Sequence, residues 1–102
     1  MDRRRNLHLK LEQIAGAGVP VLYQPPSMHK LSYPCILYQY DGTGVKHADN
    51  KKYHRASRYQ VTLIARKPDP ALVEEISNME YCTFQQWFAK DGLNHYVFSI
   101  YN

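Results

Sequence analysis

The stretch Cys82–Asn102, CTFQQWFAKDGLNHYVFSIYN, is a pair of apolar runs that meet at Asp91-Gly92. An Asp-Gly pair between alternating hydrophobic residues is a strong hairpin signal, because both central positions of the tight turn need φ > 0. The second run continues to the end of the chain. A strand in that place must be held inside a sheet, since free termini fray, so Tyr96, Phe98 and Ile100 are expected in the core. A closing hairpin of this kind points to a small α+β domain.

Upstream of the hairpin, Pro68-Asp69-Pro70 reads as a helix start, with Asp69 as the N-cap and Pro70 at the first helical position. Leu72, Val73, Ile76 and Met79 form the buried stripe of that helix, and Glu74 and Glu75 favour its positive end. Before it, RYQVTLIAR alternates Tyr59, Val61, Leu63 and Ala65 against Gln60, Thr62, Ile64 and Arg66, a strand. SYPCILYQY, from Ser32 to Tyr40, is a second strand, with Ile36, Tyr38 and Tyr40 on one side and Cys35, Leu37 and Gln39 on the other. Both sides are largely apolar, so a central place covered on both faces is expected. VPVLYQ is a short extended piece, and Pro20 makes it an edge strand. At the start, Leu7, Leu11, Ile14 and Ala15 share one helical face, Asp2 is placed to cap it, and Gly16 and Gly18 supply the stop. The fold class is therefore α+β: one domain, 1–102, with a mainly antiparallel mixed sheet flanked by two helices in the order α-β-β-β-α-β-β. Asp41–Arg55 reads as a long polar loop.

A chain of 102 residues hides roughly 60–70% of its unfolded surface on folding, enough for one modest core. At 44% hydrophobic and 22% charged residues it is not a disordered polymer. The nine tyrosines suit half-exposed sheet faces and protein interfaces. Net charge is +4 and the pI about 9.1, with Arg3, Arg4 and Arg5 in one group and another between Lys46 and Arg58. Such charge serves nucleic acid, an acidic protein surface or solubility. Cys35 and Cys82 match no metal spacing and read as reduced thiols buried as small hydrophobes, with a disulfide the lesser alternative. No run has the length of a membrane span or the character of a signal peptide, so a chain made and kept in the cytoplasm, or assembled from it, is expected.

The search for chemistry finds little. His47, Asp49 and His54 are three metal-ligand types in one polar segment, but without ordered spacing; no metal and no cofactor is expected. His95 with His54 or His47, and Lys51 or Lys52 against a phosphate, would make a nuclease-like acid–base pair only if they converged. There is no nucleophile elbow, no pair of carboxylates on one element and no glycine-rich phosphate cradle. The chain is expected not to be an enzyme. Tyr38, Tyr59 and Tyr96 could mimic the stacking aromatics of an RNA-reading sheet, but the element order is wrong for one.

The run YPCILY, the polar segment with HADNKKY, then RYQVTLIARKPD, an amphipathic helix and YCTF…DGLNHYVFSIY together resemble small head-to-tail joining proteins of long-tailed bacteriophages. Among these the chain looks most like the tail terminator, or tail completion, group, from about Val21 to the end. Neighbouring head-completion or stopper proteins and minor capsid proteins are of similar build, and a small basic nucleic-acid-binding domain is a further alternative. The resemblance implies a structural virion protein of the phage neck, assembled in the host cytoplasm. Its subunits would close into a ring, usually a hexamer, that caps the tail tube and meets the head connector. Genomic DNA would pass through the centre without sequence readout. A head-to-tail ring needs two different adhesive surfaces on each subunit. Lys46, His47, Asp49, Asn50, Lys51, Lys52 and Arg55 in the polar segment, and Trp87 if exposed, are the candidate interface residues. Packing of Trp87 under a helix is the alternative, and slightly favoured, reading.

Overall fold

At the Asp91-Gly92 turn both residues take positive φ, 54° and 75°, as a tight hairpin of this twist requires. The turn joins β4 (Cys82–Lys90) to β5 (Leu93–Tyr101) in the computed structural model. The structure describes residues 3–25, 31–48, 51–68 and 70–102; at 3, 43–48, 51–56 and 70 it describes the backbone alone. The earlier elements are α1 (Arg3–Ala15), β1 (Val21–Tyr23), β2 (Cys35–Ala48), β3 (Lys51–Ala65) and α2 (Pro70–Ser77). This is the expected α+β order. Asp2 and Asp69, the expected caps, lie outside the described residues, while Pro70 opens α2 as expected.

The five strands form one mixed sheet in the order β1-β2-β3-β5-β4, with β1 parallel to β2 and every other pair antiparallel. The β3–α2–β4 connection is a crossover that leaves one place in the sheet, which β5 then fills. β3 is therefore the central strand. β2 was expected to be covered on both faces, but it is flanked on its outer side only by three-residue β1. Its Ile36 and Tyr38 are buried, while Gln39 and Tyr40 are exposed. The strand begins at Cys35 rather than Ser32, one residue after a proline that has no N–H for the ladder.

One face of the sheet carries both helices and the core. Leu7 and Leu11 of α1 and Leu72 and Ile76 of α2 close over Ile36, Tyr38, Tyr59, Val61, Leu63, Phe98 and Ile100. Ile14, Ala15, Val73, Met79 and Tyr96 pack against this cluster partly buried, so both helical stripes read from spacing are the ones used. α1 ends where Gly16 and Gly18 take φ of 74° and 88°, and the Gly16 N–H donates to the Glu12 carbonyl at 3.0 Å. The opposite face carries no helix among the described residues. It is a row of Leu37, Gln60, Thr62 and Ser99, half-buried, with Cys35, Ile64 and Val97 buried among them.

Tyr38 is buried yet polar, and its hydroxyl is answered. It shares a 2.7 Å hydrogen bond with His8 Nδ1 and accepts one of 3.4 Å from Arg4, whose guanidinium also lies 4.5 Å over the Tyr23 ring. Burial pushes the Tyr38 hydroxyl pKa upward, partly offset by Arg4. Arg4 is thus tied to the sheet rather than spent on solubility alone. Tyr38 and Tyr59 lie in the core under the helices, so they form no open stacking platform for RNA bases.

Both cysteines are free, Cys35 buried and Cys82 half-buried. They stand on strands three positions apart in the sheet, roughly 14 Å at about 4.8 Å per strand, beyond the reach of a disulfide. Burial pushes both thiols up to about 11 from an ordinary value of 9.0. The folded state therefore holds thiol protons that the unfolded chain loses. Stability from this source is complete below pH 9 and lost as pH rises toward 11. Urea midpoints measured from pH 8 upward are expected to fall across that window, and the fall to shrink in Cys35→Ala.

Phe98, fully buried beside Val61, is the residue whose truncation tests the core. Phe98→Ala is expected to cost about 3–5 kcal/mol in urea unfolding. Phe88→Ala, on the exposed edge, should cost far less.

Candidate assembly surface

The segment Asp41–Arg55, read from sequence as a loop, is instead the outer half of a β-ribbon. β2 and β3 stay paired from Thr43↔Ser57 through Ala48↔Lys51. β1 reaches β2 only at Ile36–Tyr38, and β5 begins its register with β3 at Arg58. Beyond that base the two strands have no other neighbour in the sheet among the described residues. At about 3.3 Å per residue, the six steps from Ser57 to Lys51 make an arm about 20 Å long. The long axis of the molecule is 45 Å against 25 and 24 Å for the other two. The sequence of this segment lacks the apolar alternation that marks a half-buried strand.

The base of the ribbon is built. Asp41 and Gly42 together oppose Arg58, a bulge between the Tyr40↔Tyr59 and Thr43↔Ser57 pairs. Arg58 fills it, its Nη2 and Nε donating to the Asp41 carbonyl at 2.8 and 3.1 Å and its Nε standing 3.3 Å from the Asp41 carboxylate. Gly42 has φ 111°, where a side chain is strained. On the other side of β3, Ser57 and Asn102 exchange both backbone hydrogen bonds, at 3.2 and 2.9 Å. A bulge of this kind bends and twists a strand pair, so the arm leaves the sheet at a fixed place.

The expected interface residues fall on this arm in a specific register. Lys46 is opposite His54, His47 opposite Lys52, Ala48 opposite Lys51 and Val45 opposite Arg55; Asp49 and Asn50 lie outside the described residues. Between positions 41 and 58 the sequence has five Lys or Arg and two Asp, one of which, Asp41, is engaged by Arg58 at the base. The register sets no Lys or Arg directly across from another. By sequence the segment beyond the base holds Lys46, Lys51, Lys52 and Arg55 against Asp49.

The second bare surface is β4, whose outer edge pairs with no other strand among the described residues. Of its nine residues only Cys82 is half-buried; the rest are exposed. Phe84, Trp87 and Phe88 are 45%, 54% and 38% exposed, and Tyr81 just before them 55%. Their rings are held in place all the same. Phe84 meets Phe98 edge-on at 5.5 Å, Phe88 stacks on His95 at 4.6 Å, and Trp87 Nε1 donates to Asn94 Oδ1 at 3.2 Å. Asn94 in turn donates to the carbonyls of Ala65 and Arg66. Trp87 pairs with Tyr96 in register and so belongs to the helix-bearing face, yet no helix covers it. The favoured expectation of a packed Trp87 is thus replaced by exposure. The extra residue between Phe84 and Gln86 in the β4–β5 register is a bulge that alternation alone does not reveal; it is what sends Phe84 and Trp87, three apart, to one face.

The nuclease-like pairing does not form. His95 is in register with Ile64, ten residues along β3 from His54, a separation of about 33 Å at strand rise. No group of three metal-ligating side chains occurs among the described residues. His95 Nδ1 is buried without a hydrogen-bond partner, beneath the Phe88 ring. A groove of about 340 Å³ lies between α1 and the α2–β4 connection, with Leu7, Ile14, Met79 and Ile100 along its apolar side. No helix among the described residues is long and apolar enough to cross a membrane. No protein-family model matches the chain, and no curated protein matches it.

Trp87 is the single tryptophan, so its fluorescence reports this edge alone. Iodide is expected to quench it readily in the free protein. On self-association or contact with a partner its emission should shift to shorter wavelength with loss of quenching; an emission already blue and unquenchable would contradict the exposed edge.

Proposed function

We propose that this chain is a structural assembly subunit of the neck of a long-tailed phage, of the tail-terminator kind. It works by contact geometry and not by catalysis. The observation that carries the reading is the projecting β2–β3 ribbon, a basic arm anchored at its base and extending about 20 Å beyond the sheet at strand rise. A free-standing two-stranded ribbon is only marginally stable in water, so an arm of this length suits a segment that is completed by another molecule. The bare, aromatic β4 edge is a second and different surface. Two unlike surfaces on one subunit are what a head-to-tail ring requires. The sequence resemblance to joining proteins supplies the setting: a ring, usually hexameric, between tail tube and head connector.

The test is to purify the chain and add it to its tail-tube protein during tube polymerisation, with electron microscopy of the products. Tubes of limited length capped by a ring of this chain are the expected result. Tubes of unaltered length, with the chain unbound to them, would refute the terminator role.

A further inference from the structure

We propose that the contact between copies is head-to-tail and electrostatically polarised: the basic ribbon of one copy lies along the β4 edge and the acidic flank of α2 in the next. The inference rests on the ring reading above and names its interface.

Three observations converge on this pairing. First, Lys46, Lys51, Lys52 and Arg55 occupy consecutive cross-strand positions opposite Ala, Val or His, with no acidic residue at any of those register positions. Second, Glu74, Glu75 and Glu80 are exposed and make no ion pair among the described residues. They lie on α2 and the connection that leads from it into β4, and α2 packs beside β4. Third, both partners in the contact have backbone that no strand among the described residues uses. The outer edge of β4 runs for nine residues, and among the described residues the ribbon edges are unpaired beyond Asp41 and Ser57. An unpaired edge is a template for another strand, so a neighbour's ribbon can extend the sheet while its cations meet the glutamates. The arm, about 20 Å by strand rise, spans most of the 24–25 Å breadth of a neighbouring molecule. The two surfaces differ, so the contact repeats from copy to copy and closes only where the rotation allows.

A charge-exchange experiment tests it on the full chain, by sedimentation at low and high salt. The ribbon-reversed variant is Lys51→Glu/Lys52→Glu/Arg55→Glu, and the helix-reversed variant is Glu74→Lys/Glu75→Lys/Glu80→Lys. Each alone is expected to self-associate about a hundredfold more weakly than the natural chain, because like charges then face each other. A one-to-one mixture of the two should recover association. The acidic arm of one variant meets the basic flank of the other, and the untouched surfaces meet as before. Circular dichroism and urea midpoints confirm that each variant is folded, and single reversals at Lys52 and Glu75 serve if a triple variant is not. Salt should weaken the natural contact, as the screening length falls from about 30 Å at 0.01 M to about 3 Å at 1 M.

Rings that form equally well with both variants would overturn this interface and leave the ring reading standing. A natural chain that stays monomeric at millimolar concentration in low salt would overturn the interface as well. If that monomer also bound duplex DNA with a steep salt dependence, and only the ribbon reversal abolished the binding, a nucleic-acid role would replace both proposals.

Discussion

The ladder between β2 and β3 is the constraint on which the rest of the molecule hangs. It runs from Cys35↔Ile64 to Ala48↔Lys51, and its two halves serve opposite ends. Its inner half puts Ile36, Tyr38, Tyr59, Val61 and Leu63 on the face that the helices cover. Its outer half carries a basic ribbon into solvent. One register governs both, so the hydrophobic burial that fixes the inner pairs also fixes which residues stand across from each other in the arm. A slip of one residue would turn the core positions of β3 to the open face.

That arrangement explains how a marginal structure persists. A lone hairpin in water contributes little stability of its own. The arm is held instead from its base, by the Arg58–Asp41 clasp and the Ser57–Asn102 pair. Stability made in the core is thus transmitted along continuous strands into the ribbon. The same logic applies to β4. Its inner edge is zipped to β5, which leaves its outer edge and its rings available at no cost to the core.

The two bare surfaces differ in what they offer a partner. The ribbon offers charge and reach. The β4 edge offers aromatic area whose rings are already oriented by Phe98, His95 and Asn94. Rings fixed before contact lose little conformational freedom on binding. A module with one charged arm and one pre-set apolar edge is suited to making the same unlike contact repeatedly.

Much of this was legible in the residues themselves. The stripes Leu7-Leu11-Ile14 and Leu72-Ile76-Met79, the glycine stop at 16 and 18, the Asp91-Gly92 turn and the element order follow from periodicity and backbone preference, which are local properties. The interface candidates in the polar segment were visible as a charge group, but their strand character was not. Alternation reports a strand only when one face is apolar, and the sequence of the ribbon shows no apolar alternation. Tertiary structure alone decided that β3 rather than β2 is central, that the bulge in β4 sets Trp87 on the helix-bearing face beyond the reach of the described helices, and that His54 and His95 stand far apart on the sheet. Those outcomes depend on which strands become neighbours and where the helices end. Contacts between distant parts of the chain settle such matters, and no short window of sequence contains them.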